Sequence, residues 1–307
     1  MPRPGRTTGT RSFAVGSVLV AVASVLVAVA SSWAVEPPAA PGDPTAPASG
    51  SSSAAPAAIE TPPLPAGSAE AISLLDQVER AFGGRAAIDA IPGVRMEMTV
   101  ATREGDPDPV RISVVRARPF AARIRQSGGG RADGEIGFDG DEGWMSDGRG
   151  GFLSLDPAHA RGMLEGADLQ AMLRDLRSRF ERIDLDPPTE FRGAQALVLR
   201  CIEHDAEQGE SVRIFVDPGT ALPLGMESIT AEDAEGSRVR VEGWRREGEI
   251  RVFERMVIDR GGAESFVNFT SIRFEAIPAG EIRSPLGDAL QSPTPSDAGG
   301  PETDARR

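Results

Sequence analysis

The chain has 307 residues, a formal net charge of −13, one cysteine, two histidines, no tyrosine and no lysine. Schiff-base lysines, P-loop lysines and tyrosine acid/base chemistry are therefore excluded. An intramolecular disulfide is impossible, and His159, His204 and Cys201 are too few for a His/Cys metal centre.

The acidic balance argues against non-specific binding to DNA or RNA, so no nucleic-acid partner is expected. At the N-terminus Arg3, Arg6 and Arg11 precede an apolar run from Phe13 to Ala30. Small-x-small sites follow at Ala28-Val29-Ala30 and Ser32-Trp33-Ala34. Residues 1–34 read as a secretory signal peptide, which places the protein in the periplasm or cell envelope. The alternative is an uncleaved anchor through residues 13–30, since the run nears the ~18 residues that span a bilayer. Residues 35–67 are dominated by Pro, Ala and Ser and read as a disordered linker, and residues 284–307 as a disordered tail. The expected folded domain is 68–283.

Within it, Ser68 is placed to cap a helix whose Ile72, Leu75, Val78 and Phe82 share one face. Gly83-Gly84 stops that helix, and a short helical turn over 86–91 ends before Pro92. Val94, Met96, Met98 and Val100 then alternate with Arg95, Glu97 and Thr99, which predicts a strand over 94–103 with one buried face. Val110, Ile112 and Val114 form the inner face of the next. The stretch Arg118 to Trp144 reads as strand, glycine turn, strand, tight turn, strand. Phe120, Ala122 and Ile124 face one way, and Arg123 and Arg125 the other. Ile136 and Phe138 alternate again, and Asp139-Gly140 is a hairpin signal that leads to Trp144. A short strand over 152–155 follows.

The period then changes. Asp156 before Pro157 opens a short helix that carries Met163 and Leu164 near its end. From Ala167, the residues Leu169, Met172, Leu173, Leu176 and Phe180 make one helical stripe. Strands resume after Pro187-Pro188. Ala194 to Glu203 is apolar on both faces and reads as a central strand. Val212, Ile214 and Val216 alternate, Asp217-Pro218-Gly219-Thr220 turns the chain, and Leu222 to Ile229 pairs back. Val239 and Val241 lead to Trp244, and Glu249 to Asp259 with Glu264 to Phe274 form the last hairpin. The fold class is therefore mainly β (α+β), with roughly ten to twelve antiparallel strands in one strongly curved sheet covered by amphipathic helices.

Three groups of residues carry a resemblance. Arg118-Pro119, the Arg-bearing strand to Arg125, and Phe138-Asp139-Gly140 with Trp144 resemble the "RP…DG…W" strands of the periplasmic lipoprotein carrier (LolA-like) superfamily. Val212 to Met226 is similar to the "fDpxTGLP" hairpin of its lipoprotein-sorting members, with Ala221 where Gly is usual. Val241 to Ile258 and Phe266 to Phe274 resemble the closing strands. The resemblance covers most of Ser68 to Pro278. It implies an unclosed β-barrel of about eleven strands with helices across its mouth. It also implies a non-catalytic carrier or binding protein for lipid, acyl chain or acylated protein in the envelope. The alternative it implies is a membrane-tethered sensing or interaction domain whose partner is an envelope membrane protein.

On that reading the apolar cavity is lined by Met96, Met98, Val100, Ile112, Val114, Phe138, Trp144, Met163, Leu164, Leu169 and Met172. Methionines suit an adaptable lipid cavity, and they suit ordinary core packing equally. Arg123 and Arg125 are open to two readings, anionic head-group contacts or a solvated strand face. No G-x-S-x-G, H-E-x-x-H, P-loop or dinucleotide fingerprint is present, so neither an enzyme, a metal nor a cofactor is expected.

Overall fold

In the computed structural model, residues 66–130, 132–148, 150–165, 180–204, 210–229 and 237–286 are described. Ser68 caps the first helix as its type requires: its side chain accepts the Ala71 N–H at 3.1 Å. That helix, α1 (Ala69–Phe82), buries Ala71, Leu74, Leu75, Val78 and Phe82, and ends where Gly83 takes a φ of 131°. After β1 (Ala66–Gly67), α1 and the short α2 (Arg85–Asp89), the chain enters the alternating segment. β2 (Gly93–Ala101) buries Val94, Met96, Met98 and Val100, as the period-2 pattern dictates.

Strands β3 (Val110–Ala117), β4 (Ala121–Gly128), β5 (Gly134–Phe138), β6 (Gly143–Ser146) and β7 (Phe152–Leu155) meander away from β2 as antiparallel neighbours. Helix α3 (Pro157–Glu165) then turns back over β4, β5 and β6. The second set of strands is β8 (Phe180–Phe191), β9 (Ala194–Glu203), β10 (Ser211–Val216), β11 (Pro223–Ile229) and β12 (Ser237–Val241). It continues with β13 (Trp244–Glu247), β14 (Ile250–Phe253), β15 (Arg255–Arg260) and β16 (Ala263–Phe274). Fourteen strands form one sheet in the order β1-β8-β9-β10-β11-β12-β15-β16-β2-β3-β4-β5-β6-β7, and β16 against β2 joins its two halves. The order ends at β1 and β7, so the sheet is not closed into a barrel.

So long a twisted sheet must curve. Ile124 of β4 and Ile183 of β8, far apart in strand order, belong to one apolar cluster with α1. Register shifts at Asp186/Thr189, Phe215/Val216 and Phe269/Ser271 supply local bends. The last one also changes parity, so that Phe269 and Ile272, three residues apart, both face the core.

The structure departs from the sequence reading in strand number, with fourteen strands in the sheet where about eleven were expected, and in three elements. Phe180 begins β8 instead of ending a helical stripe. β8 also runs through Pro187-Pro188, because a bulge there removes the ladder donors that proline lacks. Finally, Glu249 to Asp259 is two strands. At Glu254 the N–H donates to the Gly243 carbonyl (3.0 Å), so β14 pairs back on β13 while β15 joins β12 and β16. The resulting hairpin β13–β14 sits against α1, with the Trp244 ring 5.3 Å from Phe82 and 4.6 Å from Phe253.

The outer face carries charge. On β8 to β12, Asp184, Arg200, Arg213, Glu227 and Arg238 stand on one rung. Arg200 reaches Asp184 at 3.3 Å, and Arg238 reaches Glu227 at 2.5 Å. Such half-exposed pairs are worth little singly. The same face also carries a small apolar cluster of Phe191, Ala196, Val198 and Phe215.

Candidate functional site

The inner face of the sheet is an extended apolar surface covered by α1, α3 and the hairpin β13–β14. Alternation puts Met96, Met98 and Val100 of β2, Ile112 and Val114 of β3, and Phe138 of β5 on it, all buried. Leu164 of α3 is buried against the same cluster, and Met163 is partly buried there. These eight predicted cavity residues are therefore brought together. Leu169 and Met172 lie outside the described residues.

Trp144 is placed elsewhere. Its β6 position pairs directly with Gly137, and its ring lies on the outer face, 0% exposed, among Val115, Ile277, Ile282 and Leu286. The indole N–H donates to Glu135 Oε1 at 3.0 Å, and Glu135 is held in turn by Arg125. Trp144 is thus not a wall of the inner face. The sequence offered an apolar residue next to Met145 in a four-residue strand, and nothing there fixed which of the two points inward.

The cover of the inner face is incomplete beside α1. A pocket of about 410 Å³ lies between Ala69, Glu70, Ser73, Leu74 and Gln77 of α1 and the side chains of Leu185 and Leu197. Leu185 shares an inner rung with the fully buried Leu199, yet is 41% exposed. Leu185 and Leu197 were not singled out from sequence. The Ile183-x-Leu185 alternation just before Pro187-Pro188 was the signal, hidden by the helical stripe that precedes it.

On the outer face, the two arginines open to alternative readings are tied within the chain. Arg123 donates to the Glu281 carbonyl at 2.5 Å, and Arg125 pairs with Glu135. Arg95 holds Glu275 at 2.8 Å and both oxygens of Glu281. Burial and the neighbouring Arg125 lower the Arg123 pKa, while Arg95 holds the Glu281 carboxyl below its usual range. The chain over 275–286, including a 3₁₀ turn at Ala279–Ile282, is thereby strapped across the outer face of β3 and β4.

The Glu281 shift has a pH consequence. Its folded pKa is depressed, so its stabilisation is fully present above the unfolded value of ~4.3 and is lost as pH falls through the folded value. Glu281→Gln is expected to cost about 1 kcal/mol at pH 7, with the gap to the parent closing towards pH 3. Urea midpoints measured from pH 7 to 3 check this. A gap that stays constant with pH would detach the carboxylate from the effect.

Burial pushes the Cys201 thiol well up, which leaves it an inert core side chain. The depressed Asp217 carboxyl is explained by its turn, where it accepts from the Thr220 hydroxyl (2.8 Å) and from the Thr220 and Gly219 amides. Among the described residues no group of three or more His, Cys, Asp or Glu is placed to hold a metal ion. No described helix is long and apolar enough to cross a membrane.

No protein-family model matches the sequence, and no curated protein does. Solved structures similar to it include a LolA superfamily protein from Nitrosomonas europaea (12% identity, 70% of this chain and 97% of that one, TM-score 0.45). A DUF1329 family protein from Desulfovibrio piger matches at 11% identity over 72% of this chain and 99% of that one, with a TM-score of 0.46. An outer membrane lipoprotein-sorting protein domain from Vibrio parahaemolyticus matches at 13% identity over 71% and 100%, with a TM-score of 0.44.

Proposed function

We propose that the protein is an exported, non-catalytic binding protein that shelters an acyl chain, free or attached to a protein, on the inner face of its open sheet. One observation carries this: a largely apolar sheet face covered by separate elements, with a gap beside α1 at which Leu185 and Leu197 meet water. Exposed apolar area costs roughly 25 cal/mol per Å², so a gap lined by leucine favours an apolar occupant. The order of the carrier-like strand motifs in the sequence supports the same reading. Export follows on this proposal from residues 1–34, with the segment from residue 35 to the start of β1 as a spacer.

The test is binding. The secreted protein is expected to release lipid on organic extraction and to bind a fluorescent fatty acid at micromolar levels. Leu185→Glu should weaken that binding about tenfold, the scale of one lost apolar contact, with the thermal midpoint within about 2 °C of the parent. If no lipid is extracted and no fatty acid binds, the proposal fails.

A second reading has its own observation. The sheet ends at β7, whose Phe152 and Leu153 are exposed. An extended segment of an envelope membrane protein adding to that edge would make the domain an interaction module. Leu153→Lys would then abolish capture of the partner and leave fatty-acid binding intact.

A further inference from the structure

Polar residues interrupt the inner face at a few buried positions, Arg116, Ser228 and Gln126 among them. Across β16, β2, β3, β4 and β5 a single rung runs Phe269, Met98, Ile112, Gln126 and Gly134. Phe269, Met98 and Ile112 are buried, and so is Gln126, at 4% exposed. Along β4 the same face carries Ala122 and Ile124, both buried. Among the described residues neither Oε1 nor Nε2 of Gln126 has a hydrogen-bond partner. Glu135, buried on the opposite face one strand away, is satisfied by Arg125 and Trp144. Gly134, directly across from Gln126, presents no side chain to fill that flank.

A side-chain amide offers two donors and an acceptor, and leaving them dry is unfavourable. Leucine would occupy the position without that penalty. Local rules are broken in this way at functional sites more than elsewhere. α3 packs over the strands that carry Gln126 and Gly134.

Resting on the acyl-binding reading above, we propose that Gln126 is the polar anchor of the site. It holds the carbonyl of an acyl amide or ester while the hydrocarbon lies along the Met98–Ile112 and Ile124–Ile136 rungs. A primary amide satisfies both Gln126 atoms, because its carbonyl accepts from Nε2 and its syn N–H donates to Oε1. An ester satisfies only the donor, and an ether of equal length lacks the carbonyl. The expected order of affinity is amide, then ester, then ether. A diacylglycerol and an acylated protein terminus share this carbonyl chemistry.

The experiment displaces a fluorescent fatty acid from the secreted protein with dodecanamide, methyl dodecanoate and 1-methoxydodecane. The parent should bind the amide about tenfold more tightly than the ether. Gln126→Leu should bind all three alike, while its thermal midpoint rises by about 3 °C because the dry amide is gone. Gln126→Met, close in shape, serves should the leucine variant fold poorly. Equal affinities in the parent, as a buried water satisfying Gln126 would give, overturn the assignment. So does an unchanged preference in the variants. If none of the three displaces the probe, and the probe itself does not bind, the acyl-binding reading fails instead. Once the preference is found, titrating a diacylglycerol against an N-acylated peptide separates the two sources, and loss of both in Gln126→Leu is required.

Discussion

Gly137→Val is expected to destabilise the fold by about 3–4 kcal/mol. A Cβ at this position would fall 2.1 Å from Cζ2, 2.4 Å from Cε2 and 2.7 Å from Cη2 of Trp144, its direct cross-strand partner. The indole has no room to move. It is buried, its N–H is fixed on Glu135, and the chain around Ile282 closes over it. The ring therefore lies flat over the glycine because the glycine has no side chain, and a branched residue there displaces either the ring or the strand. Overpacking of this kind costs about 3–4 kcal/mol, a large share of the 5–15 that holds a domain together. Gly137→Ala should lose about half as much. In a Trp144→Leu background the alanine penalty should nearly vanish, a coupling that a double-mutant cycle in urea isolates. A parental midpoint for Gly137→Val would mean that the indole does not lie over the glycine.

This pair also shows what the sequence made legible. Long alternating strands were readable, because five or more residues in period 2 leave one choice of buried face. β2, β3 and β4 follow that rule, and Met96, Met98, Ile112 and Val114 fall where it puts them. β6 is four residues long and reads Gly-Trp-Met-Ser, with both central residues apolar. Its direction is decided by Gly137 on the neighbouring strand, a tertiary fact. The hairpin β13–β14 was hidden for a related reason. Ile250 to Ile258 looks like one strand, and only the backbone pairing at Glu254 divides it. Gln126 was legible as a polar residue in an alternating strand. That its amide finds no partner among the described residues required knowing what surrounds it.

The second large effect comes from the C-terminal strap. Stopping the chain after Phe274 is expected to destabilise the fold by about 4 kcal/mol or more, since it removes Ile277, Ile282 and Leu286 from Val115 and Trp144. The polar losses add to the apolar ones. Arg95 forfeits Glu275 and Glu281, Arg123 forfeits the Glu281 carbonyl, and Asp139 Oδ2 forfeits the Ser284 N–H. Three guanidinium groups, Arg95, Arg123 and Arg125, would then share one sheet face with Glu135 and Glu97 as the nearby carboxylates, so repulsion replaces pairing. Stopping after Leu286 keeps every one of these contacts and should retain the parental midpoint. In a background with both Trp33→Phe and Trp244→Phe, Trp144 emission should shift to the red only in the shorter chain, as the indole meets water. If the chain ending at Phe274 keeps both its midpoint and its blue emission, the strap is a passive tail and the outer face holds Trp144 without it.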